Sequence, residues 1–263
     1  MEFEIKSGST DINKSVFYFP GDESICQQDY EDCIGAGYAS SVATLAGALE
    51  GFGVDIDRET FERYKRTASV IGLCDDLLDE SPSIYMGYEA FNQAISTAAN
   101  GGDFELTAWS DNRLITALQL YGNCFTVLSR DKQERILMAA EGIASLAMIK
   151  SSCTDADEYS SLLKAEGRLT NVLVAEATSD TVQRDPRFKA FIEWSELALE
   201  AGTLTNSLLD LRDDYIRRLT SVEPSIRNRA RIANYLHETL GDLIRRPGSI
   251  SATQKGLITR AKY

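Results

Sequence analysis

A chain of 263 residues with 40 acidic against 27 basic side chains, net −13, is long enough to bury a sizeable core and is a poor partner for nucleic acid or an anionic membrane. Its one histidine, His237, sits in an ordinary amphipathic stretch. That argues against a Ser-His-Asp hydrolase, a His-rich zinc site or a carboxylate-histidine di-iron bundle.

In chain order, residues 1 to about 30 read as irregular, with a turn at Pro20-Gly21-Asp22 and a short strand or strap at Val16-Phe17-Tyr18-Phe19. From Cys33 the apolar spacing turns helical. It predicts helices at 34–51, 57–80, 83–99, 110–129, 131–151, 155–178, 186–219, 224–246 and 249–261. Breaks fall at Gly51-Phe52-Gly53, Ser81-Pro82, Gly101-Gly102, Asp185-Pro186 and Pro247-Gly248. Asp131 and Asp155 are the expected N-caps. The expected fold is all-α: one domain over 1–263, a bundle of eight or nine helices enclosing a central cavity.

No stretch reaches the roughly 20 apolar residues of a membrane span; the longest, Ile136 to Ile149, is interrupted by Glu141. Met1-Glu2-Phe3-Glu4 lacks the basic-then-apolar pattern of a signal peptide. Cys26, Cys33, Cys74, Cys124 and Cys153 are odd in number and lack metal-ligand spacing. The expectation is a cytoplasmic protein with reduced thiols and no stable membrane insertion, with a homodimer admitted.

Two acidic stretches carry the chemistry. Asp75, Asp76 and Asp79 fall late in the helix predicted from 57, where the macrodipole already presents negative potential. No Lys or Arg occurs between Arg66 and Arg113 to relieve them, so these acids and Glu80 must raise one another's pKa or recruit a cation. The second stretch spaces Asn206, Asp210 and Asp214 at i, i+4, i+8, an oxygen-bearing stripe on one helix. Facing one cavity, the two would hold Mg²⁺, which takes oxygen ligands and completes its shell with water and substrate phosphates. The competing structural reading is a solvated acidic helix end for the first. For the second it is a pair of ion pairs, Asp213–Arg217 and Asp214–Arg218.

Asp75-Asp76-Leu77-Leu78-Asp79 resembles the aspartate-rich DDxxD motif of class I isoprenoid (terpene) synthases. Asn206-x-x-x-Asp210-x-x-x-Asp214 resembles that superfamily's second metal motif, closest to its form in squalene and phytoene synthases. The resemblance implies several Mg²⁺ ions held by Asp75, Asp76, Asp79, Asn206, Asp210 and Asp214, with Asp75 and Asp79 in catalytic roles. By placement, Arg168 is similar to the diphosphate-sensing Arg of terpene cyclases, and Arg260 with Tyr263 to their closing Arg-Tyr pair. Arg218 is a third candidate for the diphosphate. Tyr85, Phe91 and Trp194 are expected to line the hydrocarbon pocket.

The stretch after Asp79 lacks the Arg pair of chain-elongating synthases. The Tyr-x-x-x-Val-Ala-Gly segment of squalene-type enzymes is also missing, and Leu209 stands where they carry Arg. The resemblance therefore implies a terpene cyclase acting on one prenyl diphosphate of the farnesyl or geranylgeranyl class. A prenyltransferase is the alternative, and an all-α nucleoside triphosphate pyrophosphohydrolase or a non-catalytic helical protein is more remote.

Overall fold

The computed structural model describes residues 36–68 and 128–260, and all regular structure among them is helical. The helices are α1 (Ala36–Gly51), α2 (58–68), α3 (Arg130–Ser152), α4 (Ala156–Ala177), α5 (Asp180–Gln183), α6 (Phe188–Arg217), α7 (Ile226–Arg245) and α8 (Ser249–Arg260). Where both ends are described, the long helices start and stop within about two residues of the positions that hydrophobic periodicity gives. The predicted helices at 83–99 and 110–129, the second half of 57–80 and the N-terminal segment lie outside the described residues. No helix among the described residues is long and apolar enough to cross a membrane.

Local chemistry fixes the ends. Asp155 caps α4 as expected, its carboxylate accepting from the Asp157 and Glu158 amides at 2.9 and 3.0 Å. Ser225 caps α7 by accepting from the Asn228 amide. Asp131 is not a cap. The helix begins one residue earlier, after an extended Ser129, so Asp131 falls in the first turn, where a negative charge still suits the macrodipole. Gly53 and Gly248, both at φ +80, make the turns that leave α1 and enter α8. The long α6 starts beyond Pro186. It ends where Arg218 adopts φ 63 and the Leu219 amide closes the last turn on the Asp214 carbonyl at 2.8 Å.

α4 and α6 are antiparallel neighbours at the centre. Gly167 of α4 lies so close to α6 that a Cβ there would come within 2.6 Å of the Glu200 backbone nitrogen. α3 packs along α4, tied by the Arg135–Glu176 and Lys150–Glu166 ion pairs. α7 covers the second half of α6, and α8 lies against α1.

Two apolar clusters result. One gathers Leu49, Tyr64, Val174, Phe188, Phe191 and Trp194; the other gathers Tyr159, Leu163, Leu204, Leu211, Val222 and Ile232. Between them α4 and α6 share a polar layer in which the Ser195 hydroxyl donates to the Asn171 side-chain oxygen at 2.5 Å.

Candidate metal and substrate site

Four helices wall a cavity of about 150 Å³ lined by apolar and small residues: Val42 and Leu45 of α1, Tyr64 and Ala68 of α2, Leu173 and Val174 of α4, with Leu199 of α6 on one side. The corner between α4 and α5 positions α2 on this cavity. Asp57 caps α2, accepting from the Thr60 amide at 2.8 Å and from the Ser179 hydroxyl. Ser179 in turn donates its amide to the Thr60 hydroxyl at 2.9 Å. Burial pushes the Asp57 carboxyl up, but the hydrogen bonds from Ser179 and Thr60 outweigh it and leave its pKa below the ordinary value. The Tyr64 and Thr178 hydroxyls meet at 2.7 Å, and burial drives the Tyr64 pKa well above the usual phenol range. α2 therefore leaves this corner and runs back along α4, in the same direction as α6.

The second motif lies on α6. Asn206 and Asp210 are exposed, whereas Asp214 is half-buried near the helix end. Neither Asn206 nor Asp210 has a hydrogen bond or ion pair among the described residues. Asp214 sits in the electrostatic surroundings of Tyr159, whose pKa rises through burial first and the Asp214 charge among the lesser causes. Asp214 and Arg217 both have interaction partners, so the structural reading of this stretch as ion-paired keeps its ground there. Arg218 leaves the helix in a left-handed turn, which takes it out of regular i+4 register with Asp214.

Leu199, Asn206 and Asp210 share one face of α6, at spacings of seven and eleven residues. The face that lines the cavity at Leu199 thus carries the oxygen donors further along the helix. These donors are hard amide and carboxylate oxygens, the chemistry Mg²⁺ takes, but two on one helix make an incomplete shell. Among the described residues no group of three or more metal-ligating side chains converges. Asp75, Asp76, Asp79, Tyr85, Phe91 and Tyr263 lie outside the described residues, and Arg260 is the last residue of α8.

The remaining candidates have other surroundings. Arg168 is on α4 and its Nε donates to Glu200 at 2.7 Å, while Lys164 approaches the other Glu200 oxygen at 3.2 Å as an ionic contact. Glu200 is 1 % exposed and the Arg168 side chain 57 % exposed, so the pair runs from the core to the surface. Trp194 does not line the cavity: it is packed in the core, its ring stacked on Phe191 at 6.2 Å and edge-on to Phe52. Arg218 is exposed at the end of α6.

Sequence reasoning did not single out Leu45, Leu173 or Leu199, because a cavity-lining aliphatic carries the same periodicity as a core one. Comparison with protein-family models, with curated proteins and with solved structures finds no match.

Proposed function

We propose that this protein is a Mg²⁺-dependent class I terpene synthase that ionises one allylic prenyl diphosphate of the farnesyl or geranylgeranyl class. The observation that carries the reading is the shared face of α6, apolar at the cavity through Leu199 and oxygen-bearing at Asn206 and Asp210. A substrate with a hydrocarbon tail and a diphosphate head has the same division.

In the sequence, Asp75 and Asp79 follow Tyr64 at spacings of eleven and fifteen residues, which would put all three on one face of the helix predicted over 57–80. Both acids lie outside the described residues.

In this reading Asp75, Asp76, Asp79, Asn206, Asp210 and Asp214 would hold Mg²⁺, which would supply electrophilic stabilisation of a leaving diphosphate. Tyr64 and the aliphatic wall keep water from the allylic cation, and the Tyr64 ring face can stabilise its charge. Arg168 reaches the diphosphate only by exchanging part of its contact with Glu200. The lack of a cationic pair after Asp79 favours one diphosphate substrate over two.

The test is incubation with Mg²⁺ and farnesyl or geranylgeranyl diphosphate, with and without isopentenyl diphosphate, followed by product and diphosphate analysis. A terpene and free diphosphate from one substrate supports the reading. Product formed only with a second substrate turns it into a prenyltransferase, and no turnover of any prenyl diphosphate refutes it.

A further inference from the structure

Gly202 sits in the interior of α6, where a glycine is less stable than an alanine because it gives up more backbone freedom on folding. The chain itself supplies no reason for it. Its φ is not positive, and α6 runs unbroken from Phe188 to Arg217. The next residue pins the helix: the Thr203 hydroxyl donates to the Leu163 carbonyl of α4 at 2.9 Å, so this is not a loose joint. Packing does not demand a glycine either. At Gly167 a Cβ would come within 2.6 Å of the α6 backbone. Gly202 is exposed and, alone among the described glycines, has nothing within 4 Å of where its Cβ would stand. The remaining ground for a helical glycine is that a ligand comes close to the backbone.

Its place on α6 identifies that ligand. Leu199, Gly202 and Asn206 follow at spacings of three and four and lie on one side of the helix. Leu199 is at the apolar cavity, while Asn206, with Asp210 one turn beyond, offers exposed oxygen donors. Along the axis Gly202 is about 4.5 Å from Leu199 and about 6 Å from Asn206. A prenyl diphosphate with its tail in the cavity and its head over Asn206 therefore crosses α6 at Gly202. The portion that crosses there is the first isoprene unit, which is joined to the diphosphate through a single oxygen. A side chain at this position would stand between the allylic carbon and the helix. It would hold the C–O bond that breaks away from the donors at Asn206 and Asp210.

We propose that Gly202 is a specificity-determining residue: its missing side chain admits the first isoprene unit of the prenyl diphosphate against α6, so that the tail reaches the cavity while the diphosphate stays on the oxygen donors. The inference rests on the terpene synthase reading and adds to it the point on α6 where tail and head part.

The test compares native protein, Gly202→Ala and Gly202→Leu. Each is melted alone, with Mg²⁺ and inorganic diphosphate, and with Mg²⁺ and farnesyl or geranylgeranyl diphosphate, and each is assayed for turnover of the prenyl diphosphates. Alone, Gly202→Ala should melt about 3 °C above the native chain and Gly202→Leu no lower than it, since the space is open and both residues form helix more readily. Inorganic diphosphate has no tail, so it should raise the melting temperature of all three proteins equally. A prenyl diphosphate should stabilise the native protein but not Gly202→Leu. Its kcat/KM should fall about 10-fold in Gly202→Ala, whose one added methyl touches no other atom of the chain, and about 100-fold or more in Gly202→Leu. Undiminished turnover and stabilisation in Gly202→Leu overturn the inference and leave the terpene synthase reading standing. So does a response to inorganic diphosphate that is lost along with the response to the prenyl compound, because the side chain then acts on the metal site and not on the tail. A melting temperature of Gly202→Ala below that of the native chain overturns it as well, since the chain itself then fills the space. A native protein that neither turns over nor is stabilised by any prenyl diphosphate removes the inference and the reading together.

Discussion

Arg168 and Glu200 join α4 to α6 through a 2.7 Å hydrogen bond in which the carboxylate is almost wholly buried and the guanidinium reaches the surface. Their closeness depends on Gly167, whose missing side chain lets the two helices approach. Removing the charge with Glu200→Gln leaves Lys164 and Arg168 without their shared acid. The expected cost is about 2 kcal/mol, below the figure for a fully buried pair because both cations can reach water. Gly167→Ala should cost about 3 kcal/mol by forcing the helices apart. Urea unfolding of both variants measures this, and a change under about 0.5 kcal/mol in either would show that the contact does not hold α4 to α6.

A second relationship predicts behaviour in acid. The Asp57 carboxyl is held below its ordinary pKa in the folded state, so its contribution is fully present above the unfolded pKa of about 3.9. That contribution is lost as pH falls through the lower folded value. Asp180, hydrogen-bonded by Lys132, and Asp185, lowered to about 2 by Arg187, act in the same direction. Stability should therefore fall below about pH 4. Asp57→Asn keeps an acceptor for the cap but removes the charge, so its loss of stability on acidification should be shallower than that of the native chain. Parallel unfolding curves at pH 3 to 6 for the two proteins would contradict this assignment.

The helices were legible in the sequence because their signals are local. Periodicity gave α3, α4, α6 and α7 nearly to the residue, and the acceptor chemistry of Asp155 gave the start of α4. Asp131 is expected as a cap, but the backbone is extended at Ser129 and helical from Arg130, so the helix starts before it. Burial of charge was not legible at all. Nothing in the sequence singles out Lys65, whose side chain is fully buried beside Glu62 and over the Phe61 ring. Nor does anything mark Glu200, a core acid held by Lys164 and Arg168. Trp194 is expected at the pocket wall, and its burial and its stacking on Phe191 place it in the core. Such outcomes depend on which helices become neighbours, and spacing along one helix carries no record of that.

Arg218 is the one non-glycine residue among those described with a left-handed backbone, a conformation in which an L side chain crowds the following carbonyl. Arg218→Gly should stabilise the chain by about 1 kcal/mol, offset in part by the greater freedom of glycine in the unfolded state. Thermal unfolding of the variant checks this. If Arg218 also meets the diphosphate, the same variant gains stability while KM for the prenyl diphosphate rises. A strictly structural cap would leave KM unchanged.

The cavity and the oxygen stripe can be separated by two substitutions. Ala177→Leu fills part of the roughly 150 Å³ space from the α4 wall without touching the polar groups of α6. It should leave stability within about 1 kcal/mol of native, since the added methyl groups enter existing space. It should weaken turnover of the longer prenyl diphosphates more than that of geranyl diphosphate. Asp210→Asn acts at the other end of the same α6 face. Asp210 is exposed and has no ion pair to lose among the described residues, so the variant should unfold at the native temperature or slightly above it. Diphosphate release should nevertheless fall about 100-fold, the scale of losing one electrostatic stabiliser of the departing charge. Mg²⁺ with inorganic diphosphate should raise the melting temperature of native protein and of Ala177→Leu, and should do so less for Asp210→Asn. Equal stabilisation of native protein and Asp210→Asn would remove α6 from the metal site, leaving the acidic stripe as a solvated helix face.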